Sequence, residues 1–220
     1  LANPINDTII YTPPEGEHII REKLASLEQF VNDESVSDLD PLIKMALVHY
    51  QFEAIHPFSD GNGRTGRILN VLYLIQQNLL GLPVLYLSRY IIENKSDYYR
   101  LLREVTEEGN WEEWILFVVN GVATTSELTL IKIKEILELK HQAYISIKDE
   151  LKKGFSKELV DLLFSYPYIK ISILEENEIA KRQTASEYLK KISDLGWLTP
   201  IKIGREIYYS NHKLINVLSK

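Results

Sequence analysis

The chain has no cysteine. Neither a disulfide nor a cysteine-based zinc site can form, which fits a reducing compartment. No uninterrupted apolar run approaches the roughly 18 residues of a membrane span. Positive charge is not in surplus either: 25 Lys and Arg face 31 Asp and Glu, a net charge of −6. That balance argues against a general binder of nucleic acid or of an anionic membrane. No internal repeat or low-complexity segment occurs. The opening LANPINDTII lacks a basic region and an initiator methionine, so it is not expected to be a signal peptide. The expectation is a trimmed chain with material before Leu1, a cytoplasmic location and no membrane partner.

What is present is ordinary in bulk. With 220 residues, 45% hydrophobic and 25% charged, the chain can bury a core and hold one large or two small domains. Charge is uneven: residues 1–154 hold 15 Lys and Arg against 23 Asp and Glu, residues 155–220 hold 10 against 8. The shift from net −8 to net +2 predicts a domain boundary near Gly154.

Periodicity predicts mostly helices. Asn6-Asp7 suggests a turn in a short hairpin that the Pro13-Pro14 pair ends. Ile20, Leu24, Leu27 and Val31 recur at helical spacing over Glu17–Asn32. Asp40-Pro41 opens a second helix, with Asp as cap and Pro in the first turn. It must stop near His56, which precedes a proline. Ile68–Leu80 reads as a third, buried helix closed by Gly81. Ser96–Glu107 and Trp111–Glu150 follow, with Trp111 and Trp114 read as core. In the tail, Phe155–Phe164 looks helical and Glu178–Leu195 contains a helix–turn–helix pair ended by Gly196. Leu198–Ile203 and Glu206–Ser210 read as strands around Gly204-Arg205. Helices followed by a two-stranded wing are the winged-helix pattern.

The segment His56–Arg67, HPFSDGNGRTGR, asks for more than packing. Gly61–Gly66 fits G-x-G-x-x-G, but a dinucleotide site needs a preceding strand and an acid about 20 residues on. A helical segment precedes the loop, and Leu82–Tyr86 holds no acid. Nor does a Lys-Ser/Thr pair follow, as a Walker loop requires. What remains is a glycine-rich loop feeding a helix start, where free N–H groups bind phosphate oxygens. Arg64 and Arg67 add forked donors suited to a β- or γ-phosphate. Asp60 is a hard oxygen ligand for Mg²⁺ beside the phosphates. His56 is a base able to accept a hydroxyl proton. A transition-metal site on His49, His56 and Asp60 lacks a further ligand.

His56–Arg67 resembles the Fic motif H-P-F-x-D-G-N-G-R-x-G/S-R at every defined position, and the resemblance runs from Thr12-Pro13-Pro14 to about Asn120. It implies a helical Fic core with a short β-hairpin flap over 1–120; the residue pattern adds a linking long helix over 121–154 and a winged helix-turn-helix domain over 155–220, so the chain is expected to be mainly α. The resemblance implies a Mg²⁺-dependent protein adenylyltransferase that moves AMP from ATP to a Ser, Thr or Tyr hydroxyl of a target protein. His56 becomes the general base, Asp60 the Mg²⁺ ligand and Phe58 an anchor for the loop. Gly61, Asn62 and Gly63 meet the α- and β-phosphates, Arg64 and Arg67 the β/γ end, within a nucleotide-binding run that includes Thr65 and Gly66. Gly63, the second motif glycine, favours nucleotidyl transfer over phosphorylation.

The resemblance also points to Tyr98 and Tyr99 beside the adenine, one of them expected in the core, and to Ile9 and Ile10 as the flap that docks the target. Ser172–Asn177 fits the inhibitory pattern S/T-x-x-x-E-G/N, read here as a chance match. The tail offers a surface for DNA or for a protein partner, with a homodimer left open. Two further functions stay open: a nucleotide-sensing DNA-binding regulator, and an enzyme that removes AMP from modified targets.

Overall fold

The computed structural model describes residues 11–33, 35 and 37–219, so the expected hairpin and flap, Ile9 and Ile10 included, lie outside the described residues. The chain divides into two compact units, Leu1–Thr129 and Leu130–Lys220.

In the first unit, α1 (Glu17–Asn32) and α2 (Pro41–Ile55) form where the pattern predicts them. Asp40 caps α2 by accepting from the Leu42 N–H at 2.8 Å, with Pro41 in the first turn, where a missing N–H costs nothing. Eight of the fifteen α2 residues are buried. Met45, Ala46 and Tyr50 join one core; Val48, Phe52 and Ile55 join a second against α1. The helix α3 (Asn62–Gln76) begins six residues before its apolar run, because its first turn is made of the glycine-rich segment itself. It ends at Gln76, before the predicted Gly81, and it is not wholly buried. Ile68 and Leu72 are exposed, while Gly66, Asn70, Tyr73 and Leu74 face inward. A helix uniformly apolar in sequence cannot show from its pattern which face is covered.

A short α4 (Leu87–Glu93), α5 (Lys95–Glu108) and the start of α6 (Trp111–Leu151) complete the unit. Trp114 is fully buried and donates its indole N–H to the Ala46 carbonyl at 2.9 Å. Trp111, expected in the core, instead sits at the rim, its ring edge-on to Tyr50 at 4.8 Å. The expectation that nothing matches a membrane span also needs correction. Within Trp111–Gly154 an 18-residue window reaches a mean hydropathy of 1.5, long and apolar enough by length and composition. Its uncharged polar residues interrupt apolar runs yet weigh little in hydropathy. In its part within the first unit, Trp114, Val118, Gly121 and Thr125 form the buried stripe of this helix.

The second unit holds the end of α6, α7 (Lys157–Ser165), β1 (Tyr168–Ile169), α8 (Ile171–Glu176), α9 (Arg182–Asp194), β2 (Thr199–Ile203), β3 (Glu206–Ser210) and α10 (His212–Ser219). The sheet order is β1-β3-β2, all antiparallel, with Ile201 opposite Tyr208 and Ile169 opposite Tyr209. The helix pair expected over 178–195 lies at 171–194, with the turn at Asn177–Lys181 between its members. Leu159, Leu163, Leu174, Leu189 and Ile192 make the core with Ile147 of α6. Asn211 closes the sheet onto α10: its amide donates to the Leu163 carbonyl and its oxygen accepts from the Leu214 N–H, both at 3.1 Å.

Candidate active site

The end of α2 sets the geometry. His56 adopts φ 50°, ψ 55°, a left-handed conformation that few non-glycine residues take. The proline that follows disfavours continuing the right-handed helix, and the left-handed turn is the way out chosen here. Such a backbone conformation stores strain of order 1–3 kcal/mol, and strained residues of this kind cluster at functional sites. His56 Nδ1 lies 3.3 Å from the Glu53 carbonyl. A carbonyl only accepts, so that contact requires the proton on Nδ1 and leaves Nε2 of the neutral ring as a free base.

The next five residues form a tight loop, fastened by Asn62. Its Oδ1 accepts from the Phe58 N–H at 2.9 Å and its Nδ2 donates to the Phe58 carbonyl at 2.6 Å. Asn62 is buried, whereas the Phe58 ring is 50% exposed and only leans on Phe52, 6.4 Å away. The anchoring expected of Phe58 is therefore done mainly by the Asn62 amide. With that amide buried and turned towards Phe58, what Asn62 presents at the start of α3 is its backbone N–H.

Gly61 caps α3 at φ 87°, a conformation that favours glycine. Its carbonyl accepts from both the N–H and the hydroxyl of Thr65, at 2.9 and 3.0 Å. The N–H groups of Asn62, Gly63 and Arg64 precede the first intrahelical bond and carry the positive end of a fifteen-residue helix. Asp60 stands beside them, its side chain 87% exposed; it accepts from the Gly61 N–H at 2.7 Å and from Arg64 at 2.9 Å. The exposed Asp60 carboxylate fits a Mg²⁺ that takes one protein oxygen and draws the rest from phosphate and water. Among the described residues no group of three or more His, Asp or Glu could hold a metal by itself.

Arg64 and Arg67 take different partners. Arg64 reaches out to Asp60; Arg67 is held by the Ser88 hydroxyl on α4, 2.9 Å from its Nε. A β-carbon on Gly63 would lie 3.1 Å from Arg67 Nη1, so the glycine makes room for that guanidinium. On Gly66 a β-carbon would lie 2.8 Å from Glu53 Oε1 and 3.2 Å from His49 Nδ1. Gly66 thus serves the close approach of α3 to α2.

That approach reveals one group the sequence did not single out, Glu53, and gives two that it did, His49 and Tyr98, a different setting. Glu53 Oε1 is buried and makes no hydrogen bond among the described residues. Burial pushes its carboxyl up to about 7, opposed by the Arg67 charge. His49 is buried below the loop, its Nε2 2.9 Å from the Tyr98 hydroxyl and its ring stacked on Trp114. Burial holds it down at about 4, against the pull of the Gly66 carbonyl. His49 is therefore a neutral core residue, remote in character from the exposed Asp60. Tyr98 is buried, its phenol raised well above the usual range by burial and then by Glu53. Tyr99 is 53% exposed and edge-on to Tyr98 at 5.3 Å, so of the pair it alone offers an accessible ring. A cleft of about 830 Å³ lined by Ile19, Lys23, Phe30 and Trp111 contains none of the loop residues, and the loop chemistry outweighs its size.

Residues 4–74 match the Fic/DOC family, and residues 139–214 match the C-terminal domain of SoFic-like protein adenylyltransferases. The chain is 34% identical over 121 residues to protein adenylyltransferase fic-1 of Caenorhabditis briggsae, covering 53% of this chain and 22% of that protein. It is 32% identical over 117 residues to protein adenylyltransferase Fic of Drosophila erecta, covering 53% and 22%. The chain thus spans about a fifth of the length of these curated relatives. A crystal structure of a Fic family protein from Desulfovibrio desulfuricans aligns with a TM-score of 0.48 at 19% identity, over 90% of this chain and 56% of that one. The loop from His56 to Arg67 lies inside the region that matches the Fic/DOC family, and the region that matches the SoFic-like C-terminal domain follows it in the chain.

Proposed function

We propose that this chain is a protein adenylyltransferase that moves AMP from ATP onto a Ser, Thr or Tyr hydroxyl of a target protein. The observation that carries this reading is the left-handed His56, whose Nδ1 contact leaves Nε2 free beside the unbonded N–H groups of α3. The target hydroxyl gives its proton to His56 Nε2. Its oxygen bonds to the α-phosphorus of ATP, the bond from that phosphorus to the bridging oxygen breaks, and pyrophosphate leaves. The N–H groups of Asn62, Gly63 and Arg64, with the Arg64 and Arg67 guanidinia, offset the charge that develops on the phosphates. Asp60 would hold Mg²⁺, which when bound supplies further charge neutralisation at the phosphates. Tyr99 stacks on the adenine. In this reading residues 1–120 are the catalytic core, 121–154 the linking helix and 155–220 a winged-helix domain.

The test is incubation with labelled ATP, Mg²⁺ and a lysate, for wild type and His56→Ala. Label on protein with the wild type alone supports the reading. Absence of label on any protein with the wild type counts against it.

A further inference from the structure

Glu53 occupies an unusual place. It lies three residues before His56 on α2, and its backbone carbonyl orients that imidazole. Its side chain points under the first turn of α3, where Oε1 finds no hydrogen-bond partner among the described residues. Oε1 lies 3.6 Å from the point where a Gly63 β-carbon would sit, and Arg67 Nη1 lies 3.1 Å from that same point. The acid and the guanidinium are thus neighbours, yet no ion pair joins them. Salt-bridge contact is replaced by a through-space pull that still affects both Glu53 and Tyr98. A carboxyl with one oxygen buried and given no donor, on a half-buried side chain, is costlier ionised than protonated. Binding of a polyanion to the same N–H groups and guanidinium adds negative potential just above it.

The other ionisable groups facing Glu53 do not take over this role. On α2, His49 is held neutral by burial, and His56 stands at the outer rim. On α5, burial keeps Tyr98 protonated. From the segment before α1, Tyr11 donates to the neighbouring Ala54 carbonyl at 2.7 Å and is raised by burial. On α3, Arg67 stays charged.

We propose that Glu53 is a positioning residue of the phosphate loop that works by changing its proton. It is a carboxylate drawing on the Arg67 charge when the loop is empty, and a neutral carboxylic acid when a polyphosphate occupies the loop. The proton comes from solvent on binding and returns to solvent on release. Arg67 is thereby balanced in the empty site and handed wholly to the phosphates in the filled one. This rests on the nucleotide reading above. By linkage, nucleotide affinity falls as pH rises through neutrality, and binding takes up protons.

The experiment is calorimetric titration with ATP and Mg²⁺ at pH 7 in two buffers of different ionisation enthalpy. It compares His56→Ala with His56→Ala/Glu53→Gln. The shared His56→Ala background removes turnover and the rim imidazole, and the titration of ATP itself cancels between the two proteins. The expected difference is about 0.3 to 0.5 proton per ATP, taken up only where Glu53 is present. Between pH 6 and pH 8 the affinity of the parent falls several-fold more than that of the double variant. Equal proton uptake in the two overturns this inference and leaves the nucleotide reading standing. No ATP binding in either overturns the nucleotide reading, and this inference with it. Should the double variant fail to fold, infrared difference spectra of the parent with and without ATP report the same proton. A new protonated-carboxyl band supports the proposal, and its absence overturns it.

Discussion

Replacing Glu53 by Gln tests the burial of this acid without any ligand. Its carboxyl is raised from 4.5 to about 7 in the folded state. Between those two values the folded protein binds more protons than the unfolded chain, so the contribution of Glu53 falls as pH rises. It costs nothing below pH 4.5 and its full penalty applies above pH 7. A rise of this size corresponds to about 3 kcal/mol. Gln keeps the shape and the neutrality, so Glu53→Gln should match the wild type near pH 4.5 and gain about 2 to 3 kcal/mol over it at pH 8. His49 runs the other way. Lowered from 6.5 to about 4, it contributes stability that is complete above pH 6.5 and is lost as pH falls towards 4. In the wild type the two slopes nearly cancel between pH 4.5 and 6.5; in the variant the His49 slope stands alone. Urea unfolding at pH 5, 6.5 and 8, followed by tryptophan fluorescence, reads both effects, since Trp114 stacks directly on His49. A variant no more stable than wild type at pH 8 would refute the claim that burial of Oε1 without a donor penalises this carboxylate.

Three more outcomes are expected. His56→Ala lowers transfer by about 10² to 10⁴ while ATP affinity measured by calorimetry changes little; loss of ATP binding would assign His56 another role. Asn62→Ala removes both bonds that fasten Phe58, destabilises the fold by about 1 to 3 kcal/mol and weakens ATP binding; a normal melting temperature with normal affinity contradicts the latch. Tyr99→Ala raises the Kd for ATP by about three- to tenfold, whereas Tyr98→Phe, which removes the bond to His49, reduces stability with little effect on that Kd. The reverse ranking of these two variants would mean that Tyr98 is the base-stacking ring.

Much of this arrangement is legible in the sequence, and the remainder is hidden for definite reasons. Asp40-Pro41 marks the start of α2 because both residues act locally, as a cap and as a preset φ. The start of α3 is hidden because hydrophobic periodicity begins only at Ile68, after a first turn built from glycine and charge. The same periodicity places Ile68 and Leu72 in the core, although the exposed side of a wholly apolar helix carries no mark. Burial of Glu53 and His49 is a contact between two helices, which no local pattern reports. A signal did exist: Gly63 and Gly66 on α3 are small at the positions that meet the large polar side chains of α2. The short elements α4, β1 and α10 depend on tertiary packing more than on their own propensity. The helix pair in the tail is displaced because Asn177 and Glu178, which resemble a helix entry, form the turn between its members.

The Asn62 latch has a consequence for how the loop meets a ligand. Ordering a free residue costs about 1 to 2 kcal/mol of conformational entropy. Here the loop between Pro57 and Gly61 is already closed by two hydrogen bonds from one buried amide. The entropy is settled during folding, when the chain as a whole becomes ordered. In the proposed reaction, a phosphate arriving at Asn62, Gly63 and Arg64 would meet donors already in place, and its binding energy would remain available to orient the reacting phosphorus against His56.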